Sequence, residues 1–417
     1  MQVRRLKLQI NPDERRVITL SYNIEQPNVD RIARELMKLT AEERRDLYER
    51  TRAHFVDRHR DLEGILHKHF KELQPFLPAG LTLNETDRLL LATYFTKEYS
   101  VEAAALFNPS IVAVNHAGPD ETQRFVLSLR ATGEGHISSI EFLEGQVRSD
   151  GEIEIRYPES GFATGPEWVQ KIEADHPVFE AGFDPNIPLS EQVIFPMADD
   201  ESNGIEDVRL VRFEEDGEVT YYGTFTAYDG FQIQSKLLET KDFKTFRFHS
   251  LRGNAIRDKG MALFPQKIDG RYAMISRQDG NNLFIMFSDN LFEWNDPVPL
   301  MYPKMPWEFS KIGNCGSPLK TDQGWLLITH GVGPMRKYQL GACLLDLENP
   351  KKVLARLHDP LLAPDEHERE GYVPNVVYTC GAMLHKESLI VPYAMSDSAS
   401  GIAEFSVGEV VRSMIQE

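Results

Sequence analysis

Cysteine is scarce in this chain: three residues in 417, at positions 315, 343 and 380, with no Cys-x-x-Cys pair. An odd, small number without close spacing argues against a disulfide framework and against a zinc site. No stretch approaches eighteen consecutive apolar residues, so no membrane-spanning helix is expected. Residues 1–16 are basic but have no apolar segment, so no secretory signal is expected either. Together these absences indicate a reducing, cytoplasmic compartment.

Positive charge is also in short supply. Lys and Arg number 46 against 64 Asp and Glu, which gives a net charge of −18 and disfavours nucleic acid or an anionic membrane as a partner. The imbalance is uneven, because residues 1–78 carry about +3 and the remainder about −21. With 41% hydrophobic residues the chain is able to bury a sizeable core. The charge break predicts two units with different roles.

The first hundred residues have the periodicity of amphipathic helices. Thr40-Ala-Glu-Glu43 is a capping box, and apolar residues continue on one face from Leu47 to Phe70, which predicts one long helix. Asn84 is positioned to cap a further helix over about residues 85–95. The long segment also contains four histidines whose spacing does not suit a metal site: His54, His59, His67 and His69. We therefore expect a helical N-terminal region over residues 1–100, with these histidines at the surface or in packing.

From residue 101 onward the pattern changes to short β-rich runs separated by Gly, Asp, Asn and Pro clusters. No long amphipathic helix intervenes, which excludes a doubly wound α/β fold. Equivalent points in successive runs, at Gly223, Ser276, His330 and Tyr393, lie 53, 54 and 63 residues apart. Repeats of about fifty residues are typical of propeller blades. The expected fold class is therefore all-β, a five-bladed β-propeller over residues 101–417 with an N-terminal α-helical extension.

Polar side chains recur at the ends of these runs. A propeller collects such residues from every blade around one axial pocket, whereas the alternative of two β-sandwiches would not explain their recurrence. Carboxylates accept hydrogen bonds from sugar hydroxyls, and fixed cations bind a small anion. The recurring residues that combine both chemistries are Glu206, Asp207, Arg209, Asp258, Lys259, Arg277, His330 and Asp397.

The ordered series of runs resembles glycoside hydrolase family 130. The runs that carry the resemblance, from about Asn108 to the C-terminus, are GIEDVRL, KGMALFPQKIDGRYAMISR, KIGNCGSPLKTDQGWLLITHGVG, YQLGACLLDLENPKKVLAR and YVPNVVYTCG. That family comprises five-bladed propellers that act on β-mannosides, mostly as phosphorylases and in a minority as hydrolases. One departure is Val208, where the family usually has Pro in a Glu-Asp-Pro-Arg turn.

The resemblance implies a phosphorylase mechanism. Asp207 matches the general acid, which acts through the 3-hydroxyl of the sugar while phosphate attacks from the opposite face to give α-mannose 1-phosphate. An acid needs a raised pKa, and neighbouring Glu206 is expected to raise it. No metal or organic cofactor is implied, and inorganic phosphate is a co-substrate. The implied phosphate-binding residues are Lys259, Arg277 and His330, and the implied sugar-binding residues are Asn108, Arg130, Glu206, Arg209, Asp258 and Asp397.

Other features leave alternatives open. An inverting β-mannosidase of the β-1,2-mannoside type would need a second carboxylate as base, and residues 365–370 offer several. A catalytically silent propeller that binds glycans or proteins is the alternative from another class. Tryptophans 294, 307 and 325 are candidates for stacking on a sugar, and Cys315 is expected to be a buried thiol. The basic helical region is expected to pack on its own body or on another subunit, so a homo-oligomer is expected.

Overall fold

The computed structural model describes residues 2–115, 121–158, 161–172 and 178–416. The chain divides into two compact units. The β unit comprises residues 1–12, 102–157 and 165–417, and the helical unit comprises residues 13–101 and 158–164. None of the helices in the described part of the chain is long and apolar enough to cross a membrane.

The strands are numbered in chain order. They are β1 Arg4–Ile10, β2 Val17–Ser21, β3 Thr96–Ser100, β4 Ala105–Ala113, β5 Gln123–Thr132, β6 Ser138–Val147, β7 Ile153–Arg156, β8 Trp168–Ile172, β9 Val178–Gly182, β10 Val193–Ile194, β11 Ile205–Glu215, β12 Glu218–Tyr228, β13 Ile233–Thr240, β14 Thr245–Ser250, β15 Ala262–Leu263, β16 Tyr272–Ser276, β17 Leu283–Ser288, β18 Val298–Met301, β19 Lys311–Asn314, β20 Leu319–Thr321, β21 Gly324–Val332, β22 Tyr338–Leu345, β23 Val353–Leu357, β24 Val377–Tyr378, β25 Met383–His385, β26 Ser388–Met395, β27 Ala399–Ser406 and β28 Met414–Gln416. The α-helices are α1 Gln26–Leu36, α2 Ala41–Phe55, α3 Leu62–Leu73, α4 Glu85–Thr93 and α5 Val407–Arg412.

Within its described residues, the β unit forms five antiparallel sheets that follow one another along the chain. Sheet I has the order β10-β6-β5-β4, with β7 on β6, and sheet II has the order β11-β12-β13-β14-β9-β8. Sheet III is β15-β16-β17-β18, and sheet IV is β19-β21-β22-β23-β28, with β20 on β21. Sheet V is β1-β27-β26-β24, with β25 on β26. The unit is therefore all-β apart from α5 and short 3₁₀ turns, as the sequence predicts.

The repeat spacing identified equivalent strands correctly. Gly223 lies on β12, Ser276 on β16, His330 on β21 and Tyr393 on β26, and each of these strands is bonded on both sides within its own sheet. The strand that corresponds to them in sheet I is β5. The period of about fifty residues therefore reflects one sheet per repeat.

The hydrophobic core lies between consecutive sheets. Separate buried clusters join sheets I and II, II and III, III and IV, and IV and V, and a further cluster joins sheet V to sheet I. Hydrogen bonds cross the last of these boundaries: the Leu106 amide donates to the Ser398 carbonyl at 3.1 Å, and the Cys380 amide to the Pro109 carbonyl at 2.8 Å. Each sheet thus packs against two others, and sheet I against sheet V.

The first strand of the chain belongs to the last sheet. β1 pairs antiparallel with β27, for example Arg5 with Ala403 and Ile10 with Ser400. The sequence-based boundary placed residues 1–100 in the helical region, whereas the structure assigns residues 1–12 to the β unit. The difference arises from a tertiary contact. β1 pairs with a strand almost 400 residues away in the chain, and no local sequence pattern indicates this pairing.

The helical unit contains α1 to α4 and the β2–β3 ribbon. Both predicted caps are present: the Thr40 hydroxyl accepts from the Glu43 amide at 3.2 Å, and Asn84 Oδ1 accepts from the Asp87 amide at 2.8 Å. The long helix predicted through residue 70 is wrong, because α2 ends at Phe55 and α3 starts after Asp61, which caps Gly64. His59 therefore lies between helices.

An ion pair with a buried carboxylate connects β1 to the segment between β23 and β24. Arg5 donates to both carboxylate oxygens of Glu368, at 2.9 and 3.1 Å, and Glu368 is only 4% exposed. Arg4, its neighbour, makes an exposed pair with Glu404. The two arginines therefore form a matched pair for measuring what burial adds to an ion pair.

We expect Arg5→Leu to lower the free energy of unfolding of the β unit by about 3 kcal/mol, because it leaves a buried carboxylate without its cation. Arg4→Leu should cost less than about 1 kcal/mol. All four tryptophans lie between residues 168 and 325, so tryptophan fluorescence during urea unfolding reports on the β unit alone. Equal losses in the two variants would contradict the assignment.

Candidate active site

Two strand bulges on neighbouring sheets bring Asn108 and Asp207 together. The β4–β5 register shifts between Phe107 and Ser110, and the β11–β12 register shifts between Glu206 and Arg209. Inside these bulges Asn108 has φ 49° and Asp207 has φ 55°, the left-handed region that Asn and Asp tolerate better than most residues. Asn108 Nδ2 donates to Asp207 Oδ1 at 2.7 Å, and both side chains are buried. Asp207 is therefore held in one fixed position.

Glu206 bridges two cations beside Asp207. Its Oε1 accepts from Arg130 Nη2 at 2.8 Å, and its Oε2 lies 3.2 Å from Lys259 Nζ. Arg130 Nη1 also approaches Asp207 Oδ1 to 3.8 Å. The guanidinium of Arg130 lies over the Phe107 ring, with Cζ 5.0 Å from its centroid. Residues from sheets I and II and the segment before sheet III thus meet at one point.

Arg277 follows β16 and extends the cluster. Its Nη2 lies 3.4 Å from Asp258 Oδ2, and its Nε donates to the Lys259 carbonyl at 3.3 Å. Gly313 is essential for the approach of His330, because a methyl group there would lie 2.3 Å from His330 Cε1 and 3.1 Å from Arg277 Cδ. Arg277 and His330 therefore both pack against the same glycine.

His330 is not a cation in this environment. Burial first, and then the charges of Arg277, Arg209 and Lys311, lower the pKa of His330 well below its usual range. The expectation of three basic charges at Lys259, Arg277 and His330 is therefore corrected. As a neutral imidazole, His330 offers one N–H donor. The third positive charge, in addition to those of Lys259 and Arg277, is that of Lys311 at the start of β19.

Lys311 was not among the residues predicted from the sequence, although it belongs to one of the runs that carry the family resemblance. The residue opens the KIGNCG segment, and its ammonium lies 5.8 Å from the Tyr338 ring centroid, beside His330. A lysine at a strand start has no distinctive local signal. Only its position two residues before Gly313, which accommodates His330, could have indicated that Lys311 lies near His330.

The pKa of Asp207 differs from the sequence-based expectation. Burial acts to raise the pKa of Asp207, but the charges of Arg130, Arg209 and Lys259 and the Asn108 hydrogen bond together hold it below its usual range. The expected rise caused by Glu206 is not the outcome, and both Glu206 oxygens are bonded to cations. Without a ligand, Asp207 is thus a carboxylate at neutral pH.

Asp397 is the carboxyl group with the raised pKa. Burial, assisted by the charge of Asp207, raises the pKa of Asp397 to about 6, against the opposing charges of Arg130, Arg336 and Lys259. This interaction places Asp397, in the β26–β27 loop, with the rest of the cluster. The structure therefore brings together all ten residues that the sequence selected: Asn108, Arg130, Glu206, Asp207, Arg209, Asp258, Lys259, Arg277, His330 and Asp397.

The tryptophans do not form a sugar platform. Trp294 and Trp325 are fully buried, and Trp307 packs on glycines of sheet IV while its Nε1 donates to the His358 carbonyl. Tyr372, by contrast, is 64% exposed, and its amide donates to Ser398 Oγ at 3.0 Å, next to Asp397. Tyr372 is therefore an exposed aromatic residue whose backbone lies close to the loop that carries Asp397.

Cys315 and Glu368, two further candidates from the sequence, have structural roles. Burial raises the pKa of Cys315 to about 12, so it stays a thiol, as predicted. Glu368, in the acidic segment considered as a source of a hydrolytic base, is buried and bonded to Arg5 and the Tyr393 hydroxyl. That carboxylate is not available to activate water.

Comparisons with known proteins give the family of this chain. A family model described as β-1,4-mannooligosaccharide phosphorylase matches residues 184–416. A β-1,2-mannobiose phosphorylase from Thermoanaerobacter sp. strain X514 is 31% identical over 309 residues, 74% of this chain and 92% of that protein. The chain belongs to glycoside hydrolase family 130.

Other members of family 130 are similar at lower coverage or identity. A 1,2-β-oligomannan phosphorylase from the same Thermoanaerobacter strain is 36% identical over 228 residues, 53% of this chain and 75% of that protein. The structure of β-1,2-mannobiose phosphorylase from Listeria innocua, in complex with β-1,2-mannobiose, matches with a TM-score of 0.54 at 23% identity, over 76% of this chain and 92% of that one. This likeness shows that the fold is that of family 130.

The valine that departs from the family 130 turn is accommodated by packing. Val208 is buried, and a methyl group at Gly223 on the paired strand would lie 2.6 Å from Val208 Cγ1. Asp207 keeps its left-handed backbone without a following proline, and Arg209 Nη1 donates to the Asp207 carbonyl at 2.9 Å. The presence of valine in place of proline at position 208 therefore leaves the side chain of Asp207 in place.

The raised pKa of Asp397 makes a prediction about stability. Its folded pKa of about 6 exceeds its ordinary value of 3.8, so its contribution is fully present below pH 3.8 and is lost as pH rises through 6. The free energy of unfolding of wild type, minus that of Asp397→Asn, should therefore fall by about 1–3 kcal/mol between pH 4 and pH 7. Urea unfolding followed by tryptophan fluorescence measures it, and a pH-independent difference would refute the shift.

Proposed function

We propose that this protein cleaves a β-mannosidic bond with inorganic phosphate and releases α-mannose 1-phosphate with inversion. The observation that carries the proposal is a fixed carboxylate, Asp207, beside the cations Arg130 and Lys259, with Arg277 bonded to the Lys259 carbonyl. Membership of family 130 supports the substrate class, since the similar Thermoanaerobacter proteins are named as phosphorylases of β-1,2-mannosides. A β-1,2 linkage is the finer proposal.

Phosphate would bind beside Gly313. Arg277 offers guanidinium donors, Lys259 and Lys311 offer ammonium groups, and neutral His330 offers one N–H. Phosphate carries about 1.5 to 2 negative charges near pH 7, so charge-assisted hydrogen bonds from several cations match it. Lys259 would exchange its contact with Glu206 for a phosphate oxygen, which leaves Glu206 bonded to Arg130.

The mannose ring would lie between the phosphate and Asp207. Asn108 Oδ1 is buried and has no hydrogen-bond partner among the described residues, so it is placed to accept from a sugar hydroxyl. Asp258 and Asp397 supply carboxylate acceptors, and Arg130 supplies donors. The resemblance implied that Arg209 binds sugar; because its two Nη atoms bond protein groups, we propose instead that it acts behind Asp207.

The proton step follows from the electrostatics of Asp207. Lys259 is one of the cations that hold its pKa low and is also a cation that a bound phosphate would neutralise, so phosphate binding raises the pKa of Asp207 and favours its protonated form. Asp207 then gives its proton to the 3-hydroxyl, which passes its own proton to the glycosidic oxygen. The bond from C1 to that oxygen breaks while a phosphate oxygen bonds C1 from the opposite face.

The five sheets are proposed to be the blades of a closed five-bladed propeller. The cores shared by consecutive sheets, and by sheets V and I, support this arrangement. The Asn108–Asp207 contact also supports it, because it joins the edge strands β4 and β11 of two neighbouring sheets. A ring of this kind places the cluster at its axis.

A matched kinetic experiment tests the proposed reaction. We expect wild-type turnover of a β-1,2-mannobiose substrate to require phosphate and to produce α-mannose 1-phosphate. Arg277→Ala should raise the KM for phosphate by about 10- to 100-fold with a smaller effect on the KM for mannoside, because it removes a charge-assisted bond worth about 1.5–3 kcal/mol.

Asp207→Asn is the control for chemistry as distinct from phosphate binding. It should reduce kcat by about 10²–10⁴-fold and leave the KM for phosphate within a few-fold of wild type. Release of free mannose at equal rates with and without phosphate would replace phosphorolysis with the inverting β-mannosidase. Absence of turnover in either condition, with glycan binding retained, would favour the silent propeller.

We further propose, from the charge contrast between residues 1–78 and the remainder, that the helical unit mediates a cytoplasmic homo-oligomer. Light scattering on the full chain at micromolar concentration should give a mass at least twice 47.6 kDa. Deletion of residues 1–78 is unsuitable as a test, since it would also remove β1 from sheet V. A monomeric mass would overturn the proposal.

A further inference from the structure

Tyr378 has a place in the cluster that sequence reasoning did not foresee. It ends β24 in sheet V, and its hydroxyl accepts from Arg209 Nη2 at 2.9 Å. Arg209 Nη1 donates to the backbone carbonyl of Asp207 at 2.9 Å. One guanidinium therefore connects the tyrosine hydroxyl to the backbone of the acid.

This connection acts on a backbone that is under strain. Asp207 is a non-glycine residue at φ 55°, a conformation that costs about 1–3 kcal/mol and persists only where surrounding bonds determine it. Asn108 holds the side chain of Asp207 from sheet I, and Arg209 holds its carbonyl from within the bulge. Arg209 is 2% exposed, so its orientation depends on the acceptors around it.

The Tyr378 ring also reaches the anion side of the cluster. Its centroid lies 4.9 Å from that of His330, in an edge-to-face arrangement at 61°. The guanidinium groups of Arg209 and Arg277 both lie close to Gly260, where a methyl group would be 3.8 Å from Arg209 Nη2 and 3.5 Å from Arg277 Nε. Tyr378 is therefore in contact with groups on both the acid side and the phosphate side.

We propose that Tyr378 is a positioning residue, which fixes Arg209 and through it the left-handed backbone that aims the Asp207 carboxyl at the sugar. The proposal rests on the proposed function of Asp207. Tyr378 touches neither reacting atom, so its effect is on the geometry of the chemical step and not on the affinity for phosphate. A misplacement of about 1 Å is enough to slow a reaction by about 100-fold.

Tyr378→Phe isolates the hydroxyl, and Tyr393→Phe is its matched control. Tyr393 lies on β26 of the same sheet, is 3% exposed and donates its hydroxyl to Glu368, away from the cluster. Both variants remove one buried hydroxyl from sheet V and keep the ring. Any general effect of that loss on folding is therefore common to both.

We expect Tyr378→Phe to lower kcat by about 10- to 100-fold with the KM for phosphate and for mannoside within about 2-fold, and Tyr393→Phe to leave kcat within about 2-fold. Arg209→Lys keeps the positive charge but lacks the two Nη atoms that bond the Asp207 carbonyl and the Tyr378 hydroxyl. This variant should show the same loss in kcat. Equal kcat values in the two phenylalanine variants would overturn the proposal.

Hydrogen–deuterium exchange gives a readout that does not need activity. The peptide covering residues 205–210 should exchange about 5-fold faster or more in Tyr378→Phe than in Tyr393→Phe, because local opening becomes easier where a holding contact is lost. Unchanged exchange there would overturn the proposal even in the presence of a kinetic effect. If wild type itself lacks phosphate-dependent turnover, the proposed function fails, while the exchange comparison still decides whether Tyr378 holds the bulge.

Discussion

The hydrogen bond from Asn108 to Asp207 is the constraint on which the rest of the site depends. Each residue occupies a bulge where its strand departs from regular pairing, and each has a left-handed backbone. A bulge redirects a side chain away from the alternation of the strand, so two of them turn an amide and a carboxylate toward each other across sheets I and II. The energy of the two strained residues is offset by this bond, by the Arg209 contact and by the packing of Val208.

Much of the fold was predictable because its signals are local. Turn residues and β-rich runs located the strands, and the repeat spacing located one equivalent strand in each of four sheets. The capping box at Thr40 and the Asn84 cap were predictable for the same reason, since both ends of the bond lie within one turn. The helix break after Phe55 was not, because apolar spacing continues across it while Asp61 starts a new helix.

The site residues were selected through family resemblance and strand-end position, but their charge states were not accessible from sequence. A carboxylate beside another carboxylate, such as Asp207 beside Glu206, suggests a raised pKa. The structure instead surrounds Asp207 with Arg130, Arg209 and Lys259, and it gives the raised pKa to Asp397 from a distant loop. The directions of these two pKa shifts depend largely on contacts between residues far apart in the chain. Lys311 and Tyr378 were missed for the same reason.

The distribution of charge supports the proposed binding of phosphate at this cluster. Residues 79–417 carry about −21, yet the cluster itself contains more cations than carboxylates. Its five cations are Arg130, Arg209, Lys259, Arg277 and Lys311, and its carboxylates are Glu206, Asp207, Asp258 and Asp397, the last of which is partly protonated near pH 6.

Concentrating cations at one buried point has a cost in free energy that water as a nucleophile would not reduce. A dianion would reduce it, and by binding Lys259 it would neutralise one of the charges that keep the proton off Asp207. Phosphate would thus serve both as the nucleophile and as the condition for protonating the acid, which couples substrate binding to chemistry in one electrostatic step.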